Sequence, residues 1–234
     1  MISAVADVAQ MIDHSLLRPE LTNDDVRAGC DLAARYNVAS VCVKPCDVEP
    51  AAERLTGSGV VIGTVVGFPH GSSSPRIKAA EARAAVFDGA GELDIVLNIG
   101  RLRAGEDEAV LADIHTVVES APGIVVKVIF ENAYLTDDEK IRACRLSEQA
   151  GATYVKTSTG FASGGATPAD IRLMRAHVSD RVKVKAAGGI RTLDVLLKLH
   201  EAGATRFGAT ATAAILDDLT ERLARQGHVG DSCR

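Results

Sequence analysis

The sequence predicts an α/β fold, a closed barrel of eight parallel strands alternating with helices. Three observations predict it. Short apolar, β-branched runs recur along the chain, with starts spaced by roughly 23 to 32 residues, the length of one β-loop-α-loop unit. Ala-rich amphipathic stretches with marked helix starts lie between these runs. No linker, charge block or low-complexity segment divides the 234 residues, so one domain over 1–234 is the economical reading. Units of this number and length favour the closed (β/α)8 TIM barrel over an open doubly wound sheet. No Gly-x-Gly-x-x-Gly follows the first strands, so a dinucleotide-binding sheet lacks its fingerprint.

A lead-in helix over 1–9 precedes the first and weakest strand candidate, 10–14 (QMIDH). Thr22-Asn23-Asp24-Asp25 caps the next helix and puts acid in its first turn, and VASVCV at 38–43 follows as a strand. After the run VVIGTVVGF at 60–68, Ser74-Pro75 supplies a cap and a proline suited to the first helical position. LDIVLNI at 93–99 and IVVKVIF at 124–130 read as buried parallel strands, continuous in apolar character. Thr136 to Glu139 forms a capping box before YVKTST at 154–159. Thr167-Pro168 opens a helix, VKVKAA at 182–187 is a strand, and Thr192 with Asp194 opens the helix after it. TRFGAT at 205–210 is the last strand, and a flexible tail is expected over 227–234.

Composition narrows function by exclusion. The formal net charge of −5 and the lack of a basic run argue against a nucleic-acid binder. Asp7 and Asp13 interrupt the apolar N-terminal stretch, which is therefore neither a signal peptide nor a membrane span. The five cysteines form an odd set without a paired framework, and Cys42 and Cys46 have no partners to complete a zinc site. A cytoplasmic location, no membrane partner and no metal site are the resulting expectations.

The chemical signal lies in charged residues inside strands. Lys156, Lys183, Lys185, Asp94 and Lys127 all fall within apolar runs. Side chains alternate along a strand, so Asp94 shares a face with Asn98, and Lys127 shares one with Glu131. A lone buried charge is costly without a partner. Each such residue taken singly is an ion pair or a strand-end side chain; two lysines on adjacent strands beside an aspartate point to chemistry. Desolvation and a neighbouring cation both lower a lysine pKa and leave a nucleophilic amine, while an aspartate keeps the second ammonium charged and can pass protons. Lys183 and Lys185 share parity about 6.6 Å apart along the strand, and Lys185 is nearer the C-terminal end, where barrel chemistry sits. Lys183 reads as a deeper pair or a surface residue. Gly188-Gly189, opening the helix after the sixth clear run, and Gly208-Ala209-Thr210, after the last, mark an anion site of the kind barrels build from their final loops. Arg191 and Arg206 are candidates to assist it, or to pair with surface acids.

KTSTGF at 156–161, continuing to GGAT at 164–167, resembles the signature of the deoxyribose-phosphate aldolase family. So do MIDHSLLRP at 11–19, SVCVKP at 40–45, VVGFPHG at 65–71, LDIVLNIG at 93–100 and VKAAGGIRT at 184–192. The resemblance implies an eight-stranded barrel enzyme that reversibly cleaves 2-deoxy-D-ribose 5-phosphate to acetaldehyde and D-glyceraldehyde 3-phosphate, without metal or organic cofactor. It implies Lys156 as the Schiff-base lysine, Lys185 as the lysine lowering its pKa, and Asp94 as the acid/base partner acting through Lys185 and a water. It places Asp13 near the substrate hydroxyls, and Thr159, Gly160, Gly188, Gly189 and Gly208 where backbone faces the phosphate, with Thr210 keeping a hydroxyl there. The partner is then a small sugar phosphate, and a homo-oligomer, dimer or tetramer, is expected. The chain departs from the family where adjacent serines usually follow Gly208, having Ala209-Thr210-Ala211-Thr212. Its tail also lacks the tyrosine with which some members end. Two rival readings remain: another phosphate-binding barrel enzyme, namely a different lysine aldolase or a sugar-phosphate isomerase, and a non-catalytic sugar-phosphate sensor.

Overall fold

A computed structural model describes residues 4–231, with 226–231 described by backbone alone. The helix α1 (Val5–Ala9) leads into β1 (Ile12–Leu16), α2 (Asn23–Tyr36), β2 (Ser40–Val43), α3 (Val48–Arg54) and β3 (Val61–Val66). Next come α4 (Pro75–Phe87), β4 (Glu92–Val96), α5 (Ile99–Arg103), α6 (Asp107–Ser120), β5 (Val125–Ile129) and α7 (Asp137–Gln149). The last units are β6 (Tyr154–Lys156), α8 (Pro168–Ala176), β7 (Lys183–Ala187), α9 (Leu193–Glu201), β8 (Arg206–Ala209) and α10 (Thr212–Asp231). Neighbouring strands are parallel throughout, and β1 pairs with β8 to close the (β/α)8 barrel. α10 continues through the start of the segment read as a tail, whose last residues, 232–234, lie outside the described residues.

Local chemistry sets the helix starts. Thr22 accepts from the Asp25 amide and Asp25 in turn accepts from Thr22, a reciprocal box repeated by Thr136 and Glu139. Thr167 and Thr192 cap α8 and α9. Ser74 makes no side-chain cap bond; Pro75 at the first position of α4 supplies the pre-set φ instead.

The strand period decides which side chains meet the helices. Leu93, Ile95, Val126, Val128, Val184, Ala186 and Phe207 belong to one core layer between the barrel wall and the helices. Each large side chain fully buried there contributes about 1.5–3 kcal/mol. The alternate positions point inward, where the apolar cluster is small: Leu17, Cys42 and Val65, with Phe68 against them. Most of the interior is filled by charge.

Most strand ends shift by one or two residues from the sequence expectation, and two fall short by three. β6 stops at Lys156 rather than continuing to Thr159, because the Thr157 side chain takes over the pairing: its Oγ1 donates to the Ala187 carbonyl and accepts from the Ala187 amide, each at 3.1 Å. β4 stops at Val96, and Asn98 turns away from the face of Asp94 to cap α5, its Oδ1 accepting from the Arg101 amide at 3.2 Å.

Candidate active site

Neighbouring strand positions bring the charged residues together. Lys127 sits opposite Asp94 in the β4–β5 register, and Lys156 sits opposite Lys185 in the β6–β7 register. Asp94 Oδ2 accepts from Lys156 Nζ and from Lys185 Nζ, both at 2.6 Å, while its Oδ1 accepts from Lys127 Nζ at 2.8 Å. Lys185 Nζ also contacts Asp13. Asp13 Oδ1 in turn accepts from Ser40 Oγ at 2.6 Å and from Arg206 Nε at 2.5 Å. Glu92 closes the network, accepting from Lys127 Nζ at 2.7 Å and Arg206 Nη2 at 2.9 Å. All of these side chains are buried or nearly so, which makes each contact stronger than a surface pair and each unpaired charge more costly.

The two lysines on Asp94 differ in their electrostatics. Burial is the largest influence on Lys156 and lowers its pKa; Asp94 opposes this, Lys185 reinforces it, and the net direction is down. Burial also acts downward on Lys185, but Asp13 and then Asp94 outweigh it, so its ammonium is held above the usual range. Burial alone would raise Asp94, yet Lys127, Lys156 and Lys185 hold its carboxyl well below the usual carboxylate range. The arrangement thus sets an amine with lowered proton affinity beside an ammonium and a carboxylate, the equipment for attack on a carbonyl followed by proton transfer.

These groups meet a cavity of about 520 Å³ at the C-terminal strand ends. Lys156, Lys185, Asp13, Thr159, Gly160, Gly188, Gly189, Gly208 and Thr210 all line it; Asp94 lies beneath, behind the two lysines. Gly188 and Gly189 have φ of 86° and 80°, left-handed values that favour glycine and turn the chain out of β7 into the mouth. A Cβ at Gly208 would stand 3.2 Å from the Ala187 Cβ, closer than ordinary contact, so the residue lets β8 lie close against β7 at the mouth. Thr159 lines the cavity but is turned toward Glu131, which accepts from its amide at 3.3 Å and from its hydroxyl. Asp13 reaches the cavity with its carboxylate already engaged by Lys185, Arg206 and Ser40. Cys42 lines the wall as a buried thiol, pushed up to about 11 by burial and by Asp94.

Lys183, despite sharing parity with Lys185, is exposed, because β7 begins there at the barrel's lower edge. Arg206 is not at the phosphate end. It opens β8 and points to Asp13 and Glu92, so the suggestion that it assists an anion is corrected. The strand period puts Lys127 on one face with Glu131, but Glu131 turns to Thr159 and Lys127 pairs with Glu92 and Asp94; Glu92 and Ser40 are absent from the sequence expectation. The two-residue period from Asp94 to Glu92 was the available signal; its counter-ion, Arg206, is far along the chain.

Fold and cavity together define a (β/α)8 barrel enzyme working at the C-terminal ends of its strands. The sequence pattern of the DeoC/LacD family aldolases matches residues 7–220. Deoxyribose-phosphate aldolase of Lysinibacillus sphaericus is 50% identical over 212 residues, which cover 90% of this chain and 95% of that one. The Carboxydothermus hydrogenoformans deoxyribose-phosphate aldolase is 50% identical over 216 residues, 91% of this chain and 95% of the relative. Among solved structures, the tetrameric deoxyribose phosphate aldolase of Aeropyrum pernix superposes with a TM-score of 0.87 at 30% identity, covering 93% of this chain and 92% of that one. The chain belongs to the DeoC/LacD family of aldolases.

Proposed function

We propose that this aldolase reversibly cleaves 2-deoxy-D-ribose 5-phosphate to acetaldehyde and D-glyceraldehyde 3-phosphate through a Schiff base on Lys156. The observation that carries the reading is Lys156 itself, a buried amine on the cavity wall, hydrogen-bonded to Asp94 beside the Lys185 ammonium. In the cleavage direction the Lys156 amine adds to the C1 aldehyde of the open-chain sugar, and loss of water gives the iminium. Removal of the C3 hydroxyl proton breaks the C2–C3 bond; C3 leaves as the new aldehyde and the electron pair passes to C2 and the nitrogen as an enamine. Protonation at C2 and hydrolysis release acetaldehyde and restore the amine. Asp94, through Lys185 and a water, moves these protons, which contributes about 10²–10⁴-fold to such steps.

The phosphate is assigned to the backbone of Gly188, Gly189 and Gly208 with the Thr210 hydroxyl, all around the same mouth. Asp13, Thr159 and Gly160 complete the substrate side, with Asp13 also setting Lys185. We read the whole chain as one barrel domain, acting in the cytoplasm, where the free thiols of Cys30, Cys42, Cys46 and Cys144 persist. We also read it as a homo-oligomer, by likeness to the tetrameric Aeropyrum pernix enzyme. Incubation with deoxyribose 5-phosphate and borohydride, followed by peptide mass mapping, tests the core of the proposal. A covalent adduct on Lys156 with acetaldehyde release is expected, and the lack of any adduct there would rule the mechanism out.

A further inference from the structure

Among the described residues, one connected ion-pair network inside the barrel joins four cations, Lys127, Lys156, Lys185 and Arg206, to three carboxylates, Asp13, Glu92 and Asp94, with no side chain of the set more than 11% exposed. Fully ionised, this set would carry one uncompensated positive charge out of water, where an unmatched charge is costly. The proton is released most easily from the cation with the fewest carboxylate contacts. Lys127 lies within 4.0 Å of Asp13, Glu92 and Asp94. Lys185 contacts Asp13 and Asp94, and Arg206 contacts Asp13 and Glu92. Arg206 is in any case a guanidinium that does not deprotonate. Among the described residues Lys156 has one carboxylate, Asp94, and shares that oxygen with Lys185.

We propose that Lys127 and Arg206, neither of which lines the cavity, are positioning residues: together with Lys185 they match the three carboxylates one for one and leave Lys156 as the member without a proton. The inference rests on the Schiff-base reading for its consequence, though the charge matching stands on geometry. The titratable groups facing Lys156 come from several strands. Asp94 comes from β4, Lys185 from β7 and Lys127 from β5; Cys42 from β2 is held as a neutral thiol. Asp13 from β1 reaches Lys156 through Lys185, and Arg206 from β8 acts on Asp13. Glu131, at the end of β5, is turned to Thr159.

Opposite substitutions then have opposite effects. Lys127→Met or Arg206→Met removes a cation, so Lys156 regains its proton and titrates at higher pH. Glu92→Gln removes an anion, and Lys156 titrates at lower pH. Arg206→Lys keeps the charge and should stay near wild type. Competitive labelling of amines with acetic anhydride across pH, mapped to the Lys156 peptide, reads this titration whether or not the chain forms a Schiff base. Borohydride trapping with acetaldehyde reads the Schiff base separately.

A one-unit rise would reduce the unprotonated fraction at neutral pH by about tenfold. Trapping at pH 7 and kcat should fall in proportion in the cation variants. A Lys156 titration that moves in one direction for both charge types, or stays put in folded variants, overturns the charge matching. If Arg206→Met does not fold, the opposed pair Lys127→Met and Glu92→Gln decides by sign. Labelling shifts without any wild-type adduct would uphold the charge matching while overturning the Schiff-base reading.

Discussion

At the scale of single residues, environment separates groups that are chemically identical. Lys156 and Lys185 bind the same Asp94 oxygen at the same 2.6 Å, yet the second carboxylate, Asp13, keeps Lys185 charged while Lys156 is lowered. The sequence identified both lysines and Asp94 through their presence in apolar runs. It left Lys183 and Lys185 on one parity, and only the strand's point of entry into the barrel puts Lys183 in water. Replacing Lys185 with leucine removes the cation nearest Lys156. The pH–rate profile should then move to higher pH, with activity at neutral pH about 10²–10⁴-fold lower, as measured by coupled acetaldehyde assay. An unmoved profile in a folded Lys185→Leu protein would contradict the lysine-pair mechanism.

At the scale of elements, two buried contacts hold the strands in place behind the site. Lys78 of α4 is fully buried, donating to Asp113 of α6 at 2.5 Å and to the carbonyl of Val96, the last residue of β4, at 2.8 Å. It therefore ties both helices to the strand that carries Asp94. Lys78→Met should cost about 3–5 kcal/mol in denaturant unfolding by stranding the Asp113 charge. The double variant Lys78→Met/Asp113→Leu should recover most of that; if it recovers none, the loss lies in packing rather than charge.

His14 on β1 joins Thr212 at the start of α10, Nδ1 to Oγ1 at 2.8 Å. Burial lowers its pKa from 6.5 to about 4. Between those values the unfolded chain binds the proton and the native protein does not, so stability falls as pH drops from about 6.5 to about 4. The loss reaches about 3 kcal/mol, and below that window the contribution is constant. Unfolding free energy against pH should show the slope in wild type and a flatter curve in His14→Gln; equal slopes would assign the acid lability elsewhere. Neither contact was legible in the sequence, because both join positions far apart in the chain.

At the scale of the whole molecule, the closed barrel collects residues from all eight strands, with charge on the inside and apolar packing on the outside. Its mouth gathers Gly188, Gly189, Gly208 and Thr210 with Arg191, which has no carboxylate partner among the described residues. Inorganic phosphate should therefore stabilise the native state, by about 2.7 kcal/mol at a hundredfold excess over Kd. The corresponding rise in Tm should shrink in Arg191→Ala and Thr210→Val, and a Tm insensitive to phosphate would remove the anion site from this mouth.

The sequence by itself determined the alternation of strands and helices, because apolar period, threonine caps and prolines at helix starts are local and readable in order. It likewise identified Lys156, Lys185, Asp94 and the glycine turns, since a charge in a strand and a Gly-Gly pair before a helix stand out from their neighbours. Only the tertiary structure decided which charge answers which. Arg206 meets Asp13 and Glu92 from 193 and 114 residues away along the chain, and Lys127 reaches three carboxylates on two other strands, β1 and β4. Closure of the barrel creates those distances. The protonation of Lys156 depends on the sum of charges inside that closed space, a quantity with no counterpart in any local stretch of residues.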